Sequence, residues 1–322
     1  MRFNESSASM TNKPLKIAFL GPPGTFSQAA VINRFGADCE QLPCSSIDDV
    51  FTALEQLRAD YGVVPIENST EGSVNNTQDC LIDTELWIVG EEVIEIEHNL
   101  LVPNQAENMI VKVIASHKQS LAQCREWIRS NCPEAELLEC ASNADAASRV
   151  NAEKGIAAIA GSLAAEAYNL RVLAQGIQDK QHNRTRFILL QREQAAPSGE
   201  DKTSILVYTA NEPGALFRLL EPFQRLQINL SKIDSRPSKK EAWAYVFFID
   251  FEGHVDDKKI VTLFDRLRCC AEEIKILGSY PAHNQRALKR TVNVSNALQR
   301  SSQIRQESAR FAPLKSKTVG II

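Results

Sequence analysis

Four short polar stretches, each joined to an apolar run, carry residue types able to do chemistry. The run KIAFLG leads into GPPGTFSQAA, so Gly21 to Thr25 predict a tight loop feeding a helix that begins near Phe26 or Ser27. Free N–H groups of a first helical turn suit an anion, which makes Thr25, Phe26 and Ser27 candidate contacts, although a plain structural turn accounts for the glycines and prolines equally well. The loop is neither a G-K-[ST] phosphate loop nor a G-x-G-x-x-G dinucleotide fingerprint. A second run, YGVVP, ends in Ile66, Glu67, Asn68, Ser69, Thr70, Glu71 and Gly72. Ligands of open sheets gather beyond the carboxyl ends of strands, while Glu67 and Asn68 also fit as helix caps.

In the third stretch, SHKQSLAQCREWI, Ser116 ends a strand expected over Val111 to Ala115. Leu121, Cys124 and Ile128 give the next helix an apolar face, with Gln123 about one turn in. In the fourth, HNRTRFILL, Thr185 and Arg186 directly precede an apolar strand. An arginine beside a hydroxyl in a buried strand needs a partner. His182 reads as an exposed loop histidine, because nothing in the sequence fixes its tautomer.

The elements that must hold these groups follow from periodicity. From Lys16 to about Leu190, apolar runs (Ile17 to Leu20, Tyr61 to Pro65, Val111 to Ala115, Ile156 to Ala160) alternate with helical patterns, the signature of a parallel α/β sheet. Gln191 to Lys202 is polar, contains Pro197 and Gly199, and reads as a linker. Strand, helix, strand, strand, helix, strand then follow over Ser204–Ala210, Ala215–Leu226, Ile228–Asp234, Trp243–Phe251, Asp257–Arg268 and Glu273–Gly278. That βαββαβ order is ferredoxin-like. The stretch 284–322 is basic, with little periodic apolar content, and reads as a solvated tail.

At 322 residues, 43% hydrophobic and 24% charged, the chain can bury two cores. A net charge of −4 argues against nucleic acid as the main partner. No apolar run is long enough to span a membrane, and MRFNESSASMTNKPLK lacks the features of a signal or transit peptide, so the expected location is cytoplasmic. Eight cysteines form no C-x-x-C pair and no zinc-like spacing with the five histidines, so reduced, mostly buried thiols and no metal are expected.

Taken in order, GPPGTFS, PIENSTEGSV, S-H-x-Q-x-x-x-Q-C and N-x-T-R-F resemble the prephenate dehydratase family. The segment NEP with Gly214-Ala215-Leu216, followed by INLSKIDSRP, resembles the ACT domain fused to such enzymes, and the likeness covers about residues 15 to 283. Two departures stand out: Asp234-Ser235-Arg236-Pro237 where the family usually reads E-S-R-P, and Lys118 where it commonly has proline. The resemblance implies a two-lobed catalytic domain like a periplasmic binding protein over 15–190, with lobe 1 at about 15–95 plus 175–190 and lobe 2 at about 96–174. A linker at 191–202 and an ACT domain at 203–283 complete it. Crossing segments are expected near Glu92 to Asn99 and Ala174 to Thr185.

The implied reaction is a decarboxylative 1,4-elimination of prephenate to phenylpyruvate, driven by aromatisation and needing no cofactor. Carried over by motif, Thr185 donates to the leaving hydroxyl. Asn68, Ser69, Ser116, Gln123 and Arg186 bind substrate, and Phe26 and Phe187 form apolar walls. Threonine is a feeble acid, so Glu67 and His182 stand as alternative proton sources. Phenylalanine is the expected effector, held by Gly214, Ala215, Leu216, Asn229, Leu230, Ser235, Arg236 and Pro237 between paired ACT domains of a dimer or dimer of dimers. Competing readings are arogenate dehydratase and a non-catalytic amino-acid sensor. A mutase fusion is disfavoured by the short stretch before the first strand.

Overall fold

Capping and apolar spacing set the local structure. Thr25 accepts from the Gln28 N–H at the start of the first helix, Ser46 caps the second through Asp49 N–H, and Ser142 caps the sixth through Asp145 N–H. In the second helix the buried residues Ile47, Val50, Phe51 and Leu54 form one stripe against the sheet. The computed structural model describes residues 14–105, 109–238 and 245–283.

In chain order the first part of the chain contains β1 (Lys16–Leu20), α1 (Phe26–Phe35), β2 (Glu40–Cys44), α2 (Ile47–Glu55), β3 (Tyr61–Asn68), β4 (Gly72–Ser73), α3 (Asn75–Asp83) and β5 (Trp87–Glu95). It continues with β6 (Asn99–Pro103), β7 (Val113–His117), α4 (Lys118–Gln123), α5 (Arg125–Asn131), β8 (Glu136–Cys140), α6 (Asn143–Arg149), β9 (Ile156–Ala160), α7 (Ser162–Ala167), β10 (Leu170–Ala174) and β11 (Arg184–Gln191). One sheet runs β2-β1-β3-β11-β5 with β4 beside β3, and a second runs β10-β6-β9-β7-β8. The chain crosses between lobes after β5 and returns after β10.

The sheets are mixed, where the sequence predicts parallel ones. β1 pairs in parallel with β2 and β3, and β7 with β8 and β9, but β11 runs antiparallel to β3 and β5, and β6 antiparallel to β9 and β10. The strands flanking the crossovers must reverse direction as the chain leaves and re-enters a lobe.

The last domain holds β12 (Asp201–Tyr208), α8 (Ala215–Arg225), β13 (Leu230–Pro237), β14 (Tyr245–Glu252), α9 (Lys258–Leu267) and β15 (Glu273–Pro281), with sheet order β13-β14-β12-β15. This is the βαββαβ arrangement read from the sequence. Trp243 and the basic tail lie outside the described residues.

The expected linker is more tightly held than its polarity suggests. Arg192 donates to the carbonyls of Leu54 and Ala59, Ala195 packs on the lobe 1 core, and β12 already begins at Asp201. The last domain shares a core with lobe 1: Leu206, Tyr208, Phe248 and Leu277 cluster with Leu54, Ile66, Leu81 and Ile88. β15 approaches β5 so closely that a Cβ at Gly278 would stand 2.1 Å from the Ile88 carbonyl oxygen. Only glycine permits that approach.

Candidate active site

A cavity of about 510 Å³ opens between the two lobes, within the range of small-molecule sites. The α1 entry loop, the end of β3, the β4 turn and β11 line it from lobe 1; His117, Gln123, Asn143 and Gly161 line it from lobe 2. The lobes touch across it. A Cβ at Gly24 would lie 3.1 Å from Ala164 Cα, one at Gly161 would lie 3.0 Å from the Phe26 ring, and Tyr168 donates to the Pro23 carbonyl at 3.1 Å. These small residues let the lobes close on each other.

A directed chain of hydrogen bonds crosses the cleft, and its direction follows from one fixed point. The Asn68 side-chain oxygen accepts the backbone N–H groups of Thr70 (2.9 Å) and Glu71 (3.2 Å), so Asn68 Nδ2 must face the other way. There it donates to Thr185 Oγ1 and to Asn183 Oδ1, both at 2.9 Å. Asn183 Nδ2 in turn donates to Gln123 Oε1 at 2.7 Å, and Gln123 Nε2 lies 3.3 Å from Glu71 Oε1. Gln123 Oε1 also sits 2.9 Å from His98 Nε2. An acceptor at that point makes Nε2 the protonated nitrogen of the His98 ring.

Two chemical consequences follow. Thr185 receives a hydrogen bond on its oxygen, so its own proton is free to point elsewhere, and Thr185 lines the cavity. His98 is 2% exposed, and burial, only partly countered by the bond to Gln123, lowers its pKa and holds the ring neutral. Phe187 and Phe26 form apolar walls, with Phe26 edge-on to His98 at a centroid distance of 5.9 Å. No lysine or arginine lines the cavity among the described residues.

The structure brings Thr25, Phe26, Ser27, Asn68, Gln123, Thr185 and Phe187 to this cavity. It turns the other expected contacts away. Between β3 and β11 the register shifts from Glu67↔Arg186 to Pro65↔Phe187, leaving Ile66 as a bulge. Pro65 and Asn68 then share the cavity face, while Glu67 lies on the reverse, 3.3 Å from Lys232 and 3.5 Å from Arg186. Arg186 sits between two cavity-facing residues of β11 and points out of the opposite face, onto Glu91 and Asp250.

Ser69 also misses the cavity. Its hydroxyl donates to the His182 carbonyl and accepts from the Arg184 N–H, fastening β3 to the returning crossover. Ser116 is fully buried, 2.6 Å from the Ile159 carbonyl and 3.0 Å from Asn143 Oδ1. It therefore holds Asn143, which does line the cavity, and does not meet a ligand itself. His182 is exposed. Lys118 opens α4 as an exposed first residue, a position that needs no N–H partner and so accepts proline and lysine alike.

Sequence reasoning gave no role to Asn183, His98 or Asn143. Asn183 stands inside the N-x-T-R-F stretch, which was its signal. His98 falls in a crossover and Asn143 at a helix start, where no periodicity marks a side chain.

The expected effector residues divide by strand alternation. Along β13, Ser235 and Pro237 are exposed, whereas Lys232, Asp234 and Arg236 face lobe 1. There Lys232 meets Ser73 at 3.0 Å, Asp234 meets Gln78 at 2.7 Å and Arg236 meets Asp79 at 2.8 Å. Arg236 thus ties α3, contrary to its expected place beside an effector. Gly214 takes a left-handed backbone (φ 81°) at the α8 start, Leu216 is exposed, and Asn229 donates to Glu252.

Two α/β lobes closing on a cleft of amides and hydroxyls, docked to a ferredoxin-like domain, define a small-molecule enzyme with an attached regulatory module. The family model "Prephenate dehydratase" matches residues 17–195, and "ACT domain" matches 203–269. A bifunctional chorismate mutase/prephenate dehydratase of Pseudomonas aeruginosa is 45% identical over 276 residues, 86% of this chain and 76% of that protein. A prephenate dehydratase from Arthrobacter aurescens, solved in complex with L-Phe, has a TM-score of 0.77 at 31% identity, covering 88% of this chain and 100% of that one. A structure described as GqqA, a novel type of quorum quenching acylase, has a TM-score of 0.76 at 30% identity, covering 84% and 99%. The chain belongs to the prephenate dehydratase family, whose activity is that of a carbon–oxygen lyase.

Proposed function

We propose that this cleft binds prephenate and eliminates carbon dioxide and the ring hydroxyl together, releasing phenylpyruvate. The bond between the ring and its carboxylate breaks, and its electron pair enters the ring. The C–O bond opposite breaks, and the oxygen leaves as water after taking up one proton. Thr185 donates to that oxygen, and the observation that carries the assignment is the Asn68 N–H bound to Thr185 Oγ1 at 2.9 Å. With its oxygen already accepting, the hydroxyl is set as a donor toward the cavity. The proton consumed overall comes from solvent through this relay.

Asn183 and Gln123 hold the substrate's polar groups from both lobes, Asn68, with its own donors spent on Thr185 and Asn183, orients them, the first-turn amides of α1 beside Thr25 and Ser27 meet a carboxylate, and Phe26 and Phe187 exclude water. Glu67 is not the proton source in this reading, since it faces Lys232 and Arg186.

The ACT domain is the seat of feedback by phenylalanine. L-Phe is bound in the Arthrobacter relative, and here Gly214, Ala215, Leu216, Asn229, Leu230, Ser235 and Pro237 are the contacts, without Arg236. Exposed Leu216, Phe217, Ile233 and Tyr245 support pairing of ACT domains in a dimer or larger even assembly. Eight cysteines that are all free support a reducing, cytoplasmic setting.

The test is phenylpyruvate formation from prephenate, read by its ultraviolet absorbance in alkali, for the full chain and for Thr185→Ala. Arogenate, scored for phenylalanine, and an N-acyl amide, scored for hydrolysis, run alongside. Turnover of prephenate, lost in the variant, is the expected result. Turnover of arogenate alone or hydrolysis alone overturns the assignment, and no turnover of any substrate leaves a binding protein.

A further inference from the structure

Arg186 occupies the residue between Thr185 and Phe187, and all of its polar contacts lie on the far side of the sheet. Its side chain is 14% exposed; Nε donates to Glu91 at 2.7 Å, and Nη2 lies 2.7 Å from Asp250 of β14. Nη2 also reaches the Tyr280 hydroxyl of β15 at 3.1 Å. Lys202 of β12 holds the same Glu91 at 2.8 Å, and the Ser204 hydroxyl joins Asp250 (2.6 Å) to Tyr280 (2.7 Å). Burial alone would weaken the charge of Arg186, but Tyr280, Asp250 and Glu91 around it raise its pKa. Turning this guanidinium toward the cleft would strand buried carboxylates, a heavy cost. It is committed to the ACT sheet.

The place of this tie along β11 matters. The ladder between β3 and β11 loses register at Arg186/Phe187, next to Thr185. The extra residue, Ile66, lies on β3, whereas β11 stays in register with β5 from Arg184 to Leu189, so at this point β11 has an even ladder on one edge and a kinked one on the other. Arg186 adds a side-chain tie here, to Asp250 and Tyr280 on the ACT side. We propose that Arg186 is a positioning residue through which Asp250 and Tyr280 of the ACT sheet set the strand that presents Thr185 and Phe187, so that the ACT domain is part of the scaffold of the catalytic strand. The proposal rests on the dehydratase reading for its kinetic arm only.

The full chain is compared with Tyr280→Phe, Asp250→Asn and Arg186→Lys. Tyr280→Phe keeps the buried ring and removes only the hydroxyl. Arg186 keeps Glu91 and Asp250 in this variant, so only part of one hydrogen bond to a charged group is felt at the strand, which predicts a fall in kcat of roughly 3- to 10-fold with KM within about twofold. Asp250→Asn should fall further, and Arg186→Lys combined with Tyr280→Phe should be less than additive. Amide hydrogen exchange over residues 184–187, read without substrate, should quicken several-fold in Tyr280→Phe while α5, in lobe 2, keeps its protection. A raised KM at unchanged kcat in Arg186→Lys would make the arginine a substrate ligand and overturn the proposal. So would wild-type kcat and wild-type exchange in a folded Tyr280→Phe. If the wild-type chain leaves prephenate untouched, the dehydratase reading fails, and the exchange measurement still decides the tie.

Discussion

Asn68→Asp reverses the direction of the cleft's hydrogen-bond chain while changing almost no volume. The retained oxygen still accepts from Thr70 and Glu71. The other position, an N–H donor in the native chain, becomes a carboxylate oxygen 2.9 Å from both Thr185 Oγ1 and Asn183 Oδ1. Toward Asn183 this sets two acceptors against each other, a cost of about 1–3 kcal/mol for unsatisfied buried groups. Toward Thr185 it captures the hydroxyl proton, which then points at residue 68 and away from the cavity. Losing one oriented donor at a developing oxyanion costs about 2.7–4 kcal/mol, a 10²- to 10³-fold fall in kcat. Asn68→Ala removes the same donor but leaves the threonine proton free, so it should lose less, about tenfold. The assay is initial-rate phenylpyruvate formation, repeated in a Thr185→Ala background, where Asn68→Asp should cost less than about threefold because its target is gone. An Asp variant as active as the Ala variant, or fully additive losses, would refute a Thr185 donor set by Asn68.

Other consequences concern buried titrating groups. His98 has a pKa lowered by burial; the unfolded chain therefore binds the proton first, and the contribution of His98 to stability is present above about pH 6.5 and lost as pH falls through its folded value. His98→Gln keeps a donor to Gln123 and should flatten this acid slope in thermal melts while retaining most of kcat, whereas His98→Leu should lose kcat as well. Equal kinetics for the two would remove His98 from the chain. Burial pushes the Cys124 thiol up to about 12. The folded state holds that proton longer, so stability is full below about pH 8.5 and declines toward pH 12, and Cys124→Ala should reduce the decline. At pH 8, iodoacetamide should label exposed Cys269 in the folded chain and Cys124 only on unfolding, as peptide mapping would show.

Periodicity exposed most of the architecture. Apolar runs marked β1, β3, β7 and β9 close to their observed bounds, and the switch to βαββαβ after residue 200 was plain in the order of runs. Sheet direction was not legible, because β5, β6, β10 and β11 look alike whichever way they run; only the two crossovers reverse them. Within the site, the motifs singled out Thr185, Asn68 and Gln123, which line one cavity. They could not say which side of a strand a residue serves. Alternation puts Glu67 and Asn68 on opposite faces and separates Arg186 from Thr185 and Arg236 from Ser235, and the bulge at Ile66 brings Pro65 onto the face of Asn68. Each of the misplaced charges found an opposite charge in the other domain, a pairing that no local window contains.

The charges missing from the cavity are as informative as those found elsewhere. A substrate with two carboxylates would be held most tightly by arginine, yet among the described residues none lines the cleft, and Arg186 and Arg236 face the ACT interface instead. A cation fixed beside the carboxylate that departs as neutral carbon dioxide would stabilise the ground state more than the transition state, in which that charge moves into the ring and on toward the leaving oxygen. Amides and the α1 amino end can orient a carboxylate without holding its charge so firmly, and the walls of Phe26, Phe187 and Ile96 leave it poorly solvated. In the proposed reading Thr185, whose oxygen already accepts from Asn68, stands at the other end of the electron flow. A weak donor suffices for the proposed role because aromatisation drives the oxygen out, and what that role asks of the protein is to keep one hydrogen bond aimed.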